Sequence, residues 1–242
     1  MITSKLDDCL AAYTDQFQYA LDNRLMLTWY PHRVLLKAAS GSMLELGVGH
    51  GYTMQIFAEH FRRYVVIEAS EEVIKNAFTL REVADHKVEI HQGFFETYQT
   101  AEKFDNINMG FVLEHVDDPV TILRHFKPLL APGGKVFISV PNGEALNRRY
   151  GHAAGMLPDM LQLSDADRLL GHQRVFTVAS MRACVESEGY AIHSIEGLFL
   201  KPITTEQIKT LNLSEAILKS MMTVGIDYPE LCVGMLLECS PA

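Results

Sequence analysis

The stretch Met43-Leu44-Glu45-Leu46-Gly47-Val48-Gly49-His50-Gly51 restricts this chain to few architectures. A short apolar strand (Ser42 to Leu46), a GxGxG turn and a helical segment from Thr53 to His60 follow one another. Glycines at that spacing let the turn take positive φ and leave no Cβ between backbone and a bound molecule. The helix start then points its free amides at the same place. Tyr64 to Glu68 reads as the next strand, rich in β-branched residues and ending on an acid.

Two ligand chemistries compete for such a turn. A dinucleotide loop reads GxGxxG and is spaced for a pyrophosphate. Here the third glycine comes one residue early, and Glu45 sits in the strand end, where a pyrophosphate would be repelled. A cationic sulfonium with an amino-acid tail, as in S-adenosylmethionine, suits Glu45. A carboxylate at Glu68 accepts hydrogen bonds from both hydroxyls of a ribose, and such charge-assisted bonds are the stronger kind. Dinucleotide enzymes use the same device, so Glu68 alone does not separate the two.

The rest of the chain alternates strands and helices. Strands are expected at Lys87 to His91, Phe104 to Met109, Lys135 to Val140, Ala191 to Leu200 and Glu230 to Glu238. Helices are expected at Glu71 to Arg81 (with Ser70 as N-cap), Pro119 to Leu130, Thr177 to Glu188 and Thr205 to Thr223. This order predicts an α/β fold: a parallel sheet with helices on both faces. Residues 1–40 read as two helical runs. Leu6, Leu10, Tyr13, Phe17 and Ala20 share the first apolar face, and Pro31 kinks or restarts the second, Leu25 to Ala39. From 143 to 176 the alternation lapses, for too long to be an idle connection. With 242 residues, 48% of them hydrophobic, the chain suits a single domain. It divides into a helical lid (1–40), a cofactor-binding core (41–142), a substrate cap (143–176) and the remainder of the sheet (177–242).

A net charge of −9 repels phosphate backbones, which argues against nucleic acid; Arg62-Arg63 and Arg148-Arg149 read as solvated helix ends. Cys9, Cys184, Cys232 and Cys239 form no CxxC pair, so neither a zinc site nor a disulfide framework is expected, and no metal. Lys5, Asp7 and Asp8 interrupt any leader-like apolar run, and no apolar stretch reaches the roughly 20 residues of a membrane span. A cytoplasmic protein follows, with no membrane partner. The apolar final segment and Met221-Met222 read as core or as the contact of a homodimer.

Three further segments carry a family likeness. Phe104 to Val116 contains Leu113-Glu114-His115-Val116, followed by Asp117-Asp118-Pro119, and Leu129 to Lys135 contains Pro132-Gly133-Gly134. With the glycine loop they resemble class I S-adenosylmethionine-dependent methyltransferases, especially the ubiquinone-methyltransferase-like group. The resemblance covers residues 42–142. It implies a Rossmann-like seven-stranded sheet, antiparallel only at the last strand, with the cofactor above the carboxyl ends of strands one, two and four. It implies that Glu45, Gly47, Gly49 and Gly51 line the methionine side, that Glu68 takes the ribose with Ala69 beside the adenine, and that Met109 and Gly110 offer backbone near the amino group. The family's usual Asp after strand three is replaced here: Gln92-Gly93-Phe94-Phe95-Glu96 puts Phe94 there. Packing against Phe94 or Phe95, and backbone amides around Gly93, then hold the adenine. Asn142 to Tyr150 and Gly171 to Thr177 resemble a narrower bacterial set of polysaccharide and natural-product pathways.

Methyl transfer is an in-line displacement, so alignment is the enzyme's main task. Tyr13, Tyr19, Trp29 and Tyr30 are placed to form a lid over a small-molecule substrate, or else staple the helices to the sheet. His115, His152 and His172 are candidate bases, with His152 on the substrate side. Arg174 is a candidate clamp for a substrate carboxylate or phosphate; capping and tethering are the alternatives for it and His172. His50, in the glycine loop, is expected to face solvent or the adjacent helix; His32, His86, His91 and His193 read as structural. The expected reaction is methylation of an oxygen or nitrogen on a natural-product, sugar or nucleotide-like metabolite. A methyltransferase fold without turnover and a nicotinamide-dependent reductase are the alternatives.

Overall fold

A computed structural model describes residues 17–80 and 87–242. Tyr13, Cys9, His86 and most of the first helical run lie outside the described residues. The sheet has seven strands: β1 (Ser42–Leu46), β2 (Arg63–Glu68), β3 (Glu89–Gln92), β4 (Phe104–Gly110), β5 (Leu130–Pro141), β6 (Tyr190–Leu198) and β7 (Gly234–Pro241). Their order is β3-β2-β1-β4-β5-β7-β6. β1 to β5 pair in parallel, and only β7 runs against its neighbours β5 and β6. The strand order reverses beside β1, so the crevice above β1 and β4 is the natural ligand position in such a sheet.

Both faces are buried, and alternation assigns each strand residue to one of them. Leu44, Leu46, Val65, Ile67, Val136, Ile138, Val140, Leu237 and Cys239 point into one core. Helices α4 (Pro119–Phe126) and α7 (Val178–Ser187) close it with Leu123, Phe126, Met181 and Val185. Met43, Tyr64, Val66, Phe137 and Leu236 point into the other. There α1 (Ala20–Leu35), α2 (Tyr52–Phe57), α3 (Glu71–Leu80), α8 (Thr205–Thr210) and α9 (Glu215–Gly225) cover the sheet with residues such as Tyr30, Phe57, Val73, Ile208 and Met222. Cys232, Cys239 and Met222 are buried, as core side chains. Among the described residues no helix is long and apolar enough to cross a membrane.

Four elements depart from the sequence reading. α1 runs through Pro31 without a restart; the ring removes one amide near the helix end, and a single turn completes the helix beyond it. Arg33 pairs with Glu196 through two bonds of 2.8 and 2.9 Å, and buried Lys201 pairs with Asp22, so α1 is fastened to the β6 edge near both ends. β5 begins at Leu130, because Pro132-Gly133-Gly134 is accommodated as an irregularity between the pairs Phe104–Leu130 and Asn106–Lys135. The expected helix over 205–223 is two helices, since Asn212 takes φ 45° and Ser214 caps a new start. The segment 143–176 contains α5 (Leu146–Ala153) and α6 (Asp165–Leu169), the second opened by a Ser164–Asp167 capping box.

Candidate active site

The glycine loop leaves the carboxyl end of β1 in a left-handed path, with φ of 75°, 46° and 74° at Gly47, Gly49 and Gly51. The Gly47 amide donates to the Ile67 carbonyl at 2.8 Å and the Gly51 amide to the Val48 carbonyl at 2.8 Å. A Cβ added at Gly49 would meet nothing within 4 Å, so that part of the backbone faces open space. Gly51 is the N-cap of α2 and closes the turn away from the cavity wall.

Glu68 ends β2 beside the loop. Its Oε1 accepts from the Ser70 amide at 2.9 Å and its Oε2 from the Val48 amide at 3.3 Å. Burial raises its pKa, with those amides pulling the other way. A carboxylate has about four acceptor positions, so two amides leave capacity for a ligand.

Glu45 lies under the loop and is 1% exposed. The Tyr64 hydroxyl donates to its Oε2, Asn108 Nδ2 donates to its Oε1 at 2.9 Å, and Thr53 adds a side-chain bond. Burial pushes this carboxyl up to about 7, against the pull of the three hydrogen bonds. Asn108 Nδ2 also reaches the Tyr30 hydroxyl at 3.3 Å, which ties α1 into the same network. Gly110, at the end of β4, sits against that hydroxyl: a Cβ there would lie 2.1 Å from it. Gly110→Ala is therefore expected to cost about 1–3 kcal/mol of stability, as overpacking does. Thermal unfolding checks this, and Tyr30→Phe in the same chain should recover part of the loss. A Gly110→Ala protein as stable as wild type would refute the close fit.

These groups border a cavity of about 960 Å³ at the carboxyl ends of β1, β2 and β4. One wall is the glycine loop with Glu68, Ala69, Gly93, Phe94 and Phe95; another is Asn23, Met26, Leu27 and Tyr30 of α1. The far wall is Phe111, His115, Asp117, Gln173 and the stretch Arg168 to Gly171. Among the described residues the lining carries Glu45, Glu68, Glu96 and Asp117 against the single guanidinium of Arg168, and no lysine. This donor set fits a ligand with positive charge and hydroxyls, and opposes a diphosphate. Phe94 is 36% exposed at the rim, while Phe95 packs on the core as well as edging the cavity.

The structure separates the remaining expected residues. His115 reaches the cavity wall; burial first, and then neighbouring His172, lower its pKa to about 3. Its Nε2 is 4.0 Å from Glu114 Oε1, and its ring meets the His172 ring edge-on at 4.8 Å. His172 stands behind that wall, with Nδ1 bonded to Asp167 Oδ1 at 3.1 Å. Burial alone would raise Asp167, but bonds from His172 and Ser164 outweigh it and bring the carboxyl to about 2.

Arg174 does not face the cavity: its guanidinium donates to the carbonyls of Leu113 (3.0 Å), Val116 and Asp117 (2.9 Å). His152 is on α5, bonded to the Leu157 carbonyl at 2.8 Å, outside the cavity lining. Tyr19 lies against Lys201 and Phe17, Trp29 of α1 packs partly buried against the core, and Met109 is fully buried within β4. None of these three borders the cavity.

Two lining groups were not expected at a site. His50, expected to face solvent or the adjacent helix, stacks on Tyr52 of α2 at 6.1 Å and also lines the cavity. Gln173 donates to the His115 carbonyl at 2.7 Å and to Asp117 Oδ1 at 2.9 Å; its place in the polar run Gly171-His172-Gln173-Arg174 was the one available hint.

Comparison with known proteins agrees with this geometry. A family model described as a methyltransferase domain matches residues 17–195. A ubiquinone biosynthesis O-methyltransferase of Coxiella burnetii is 28% identical over 123 residues, 50% of this chain and 52% of that protein. The chain thus spans about half the length of the curated relatives it first matches. The corresponding protein of Stutzerimonas stutzeri is 24% identical over 75% of this chain and 77% of its own. Among solved structures, an S-adenosylmethionine-dependent methyltransferase of Thermotoga maritima, described as a possible histamine N-methyltransferase, superposes with a TM-score of 0.65 at 18% identity, covering 93% of both chains. A plantazolicin methyltransferase solved with SAH superposes at 0.59 and 14% identity, over 98% of this chain and 90% of that one. With its glycine loop, acidic cavity and reversed strand order, the chain belongs to the methyltransferase domain family and has the fold of class I S-adenosylmethionine-dependent methyltransferases.

Proposed function

We propose that the chain methylates an oxygen or nitrogen of a small metabolite held in the outer part of the cavity. The observation that carries this reading is the cavity itself. At about 960 Å³ it lies at the upper end of single-ligand pockets, with room for a nucleoside-sized donor and a second small molecule. The similar proteins include an O-methyltransferase and a possible N-methyltransferase, which is consistent with either acceptor atom.

S-adenosylmethionine supplies a methyl group already activated on a positive sulfur. In this reading Glu68 holds the ribose hydroxyls, Ala69 and Phe94 flank the adenine, and Gly93 and Phe95 complete that side. Gly47 and Gly49 bring bare backbone to the methionine side, Gly51 fixes the turn, and Glu45 with the Gly110 backbone faces the ammonium. Met109 contributes by holding β4 in place rather than by contact.

Tyr30, Met26 and Leu27 of α1 form the lid side of the acceptor space. Residues 168–173 form the cap side. Both exclude water, and a closed, aligned site supplies most of what this displacement needs, up to about 7–11 kcal/mol from alignment. His115 borders the acceptor as a wall and hydrogen-bond group, and His172 and Arg174 anchor the cap to the end of β4.

A transfer assay with tritium-labelled S-adenosylmethionine and a fractionated metabolite extract tests the proposal. Label is expected in a low-mass organic product only when protein and extract are both present. Cofactor binding without transfer to any fraction would favour a fold without turnover. Binding of a nicotinamide nucleotide in its place would favour the reductase.

A further inference from the structure

Glu114 is the least satisfied charged group among the described residues. It is 1% exposed, and neither carboxylate oxygen has a hydrogen-bond partner. A buried carboxylate left alone is strongly destabilising, so a structure that keeps one holds something against it. Two imidazoles face it. One ligating atom from each of Glu114, His115 and His172 lies within 4.8 Å of the others.

The surroundings orient these groups rather than neutralise them. His172 commits Nδ1 to Asp167, which leaves Nε2 as the nitrogen able to coordinate. Asp167 is itself fixed by the Ser164 amide at 2.8 Å and the Ser164 hydroxyl at 2.6 Å. A carboxylate behind an imidazole is the usual outer support of a metal-ligating histidine. His115 has backbone hydrogen bonds with Gly171 and Leu170, so it too is held from the cap. The Gln173 amide donates to the Glu114 carbonyl at 2.8 Å, which keeps the β4 end and the cap in register. Arg174 is the nearby cation, and its guanidinium is spent on the carbonyls of Leu113, Val116 and Asp117.

We propose that Glu114, His115 and His172 bind one divalent first-row transition metal of the zinc class, which fastens residues 164–173 of the cap to the end of β4. Two imidazole nitrogens and one carboxylate form a borderline donor set that suits zinc, cobalt or nickel over magnesium or calcium, which prefer all-oxygen shells. Three protein ligands leave a position for water. The ion takes up the charge of Glu114 and closes the gap among the three side chains. This inference concerns how the cap is held, and it stands independently of the acceptor proposed above. Cys184, Cys232 and Cys239, where a metal site was sought in the sequence, take no part. Glu114 and His115 are adjacent, and His172 arrives only through the fold.

The test uses the full chain, stripped with a chelator and dialysed. Titration with zinc followed by calorimetry should show one equivalent per chain, and cobalt should give a visible absorption band from the bound ion. Glu114→Gln and His172→Asn should each weaken binding at least ~100-fold. Asp167→Asn, which removes only the support, should weaken it ~10–100-fold. His152→Asn and His193→Asn, away from the site, should leave the equivalent in place. Zinc should raise the melting temperature of the wild type and not that of His172→Asn. Glu114→Asp substitutes for Glu114→Gln if the latter does not fold. Failure to take up an equivalent, or wild-type affinity in either ligand variant, would overturn the site. Cofactor binding by the same stripped protein is read separately, so loss of this proposal leaves the methyltransferase reading intact.

Discussion

Glu68→Ala is expected to weaken S-adenosylmethionine binding by about 10²–10⁴-fold while leaving the melting temperature of the cofactor-free protein nearly unchanged. Two hydrogen bonds from ribose hydroxyls to one carboxylate are each worth about 1.5–3 kcal/mol. Losing both gives a factor of that size. The stability side follows from burial. The pKa of Glu68 is raised, so the ionised form is less favourable in the folded chain than in the unfolded one. That cost is felt above the unfolded pKa and disappears when the charge is removed. Against it stand the amides of Ser70, Val48 and Ala69, which lose an acceptor. Glu68→Gln keeps an acceptor for one amide and should be at least as stable as wild type, yet still bind poorly. Calorimetry with S-adenosylmethionine and its demethylated product, beside thermal unfolding without ligand, reads both quantities. Equal losses in affinity and stability would make Glu68 a structural residue.

What could be read from the sequence here is what depends on neighbours in the chain. Gly47, Gly49 and Gly51 announce a left-handed turn because few other residues adopt it, and Glu68 is found by counting to the end of the next strand. Alternation in β1, β2, β5 and β7 assigns core faces without knowledge of partners. Groups whose meaning comes from another element stayed hidden. Glu45 reads as an acid for a cation, but that Tyr64, Asn108 and Thr53 hold it depends on β1 lying between β2 and β4. Arg174 has the character of an anion clamp until three carbonyls following β4 claim its donors. His115 and His172 look like separate bases, 57 positions apart in the numbering; their rings touch only because the cap folds back over the β4 end.

The second large effect is a pH dependence of the cofactor-free protein that Glu45→Gln should reduce. Burial holds the Glu45 carboxyl at about 7 instead of 4.5, so the folded chain binds this proton more tightly than the unfolded chain. The stabilisation is fully present below pH 4.5 and is lost as pH rises through about 7. Its size is about 3 kcal/mol. Glu114, also pushed up to about 7 by burial, has the same sign. Asp167, lowered to about 2, has the opposite one: it supports the fold above its unfolded pKa near 3.8 and is lost below. The wild type should therefore be most stable in mildly acidic buffer and lose stability toward pH 8.5. In Glu45→Gln the amide can still accept from Asn108 and donate to the Tyr64 oxygen, without charge. It should exceed wild type by about 2–3 kcal/mol at pH 8.5 and match it near pH 4.5. Parallel curves of melting temperature against pH for the two proteins would refute the assignment. An acid that costs stability at neutral pH has to be retained for something the fold itself does not need. In the proposed site that is the cationic amino-acid end of the cofactor, which favours the ionised carboxylate. Cofactor binding to the wild type should then release a proton between pH 5 and 7, visible as a dependence of the calorimetric heat on the buffer's ionisation enthalpy. In Glu45→Gln that dependence should vanish along with part of the affinity.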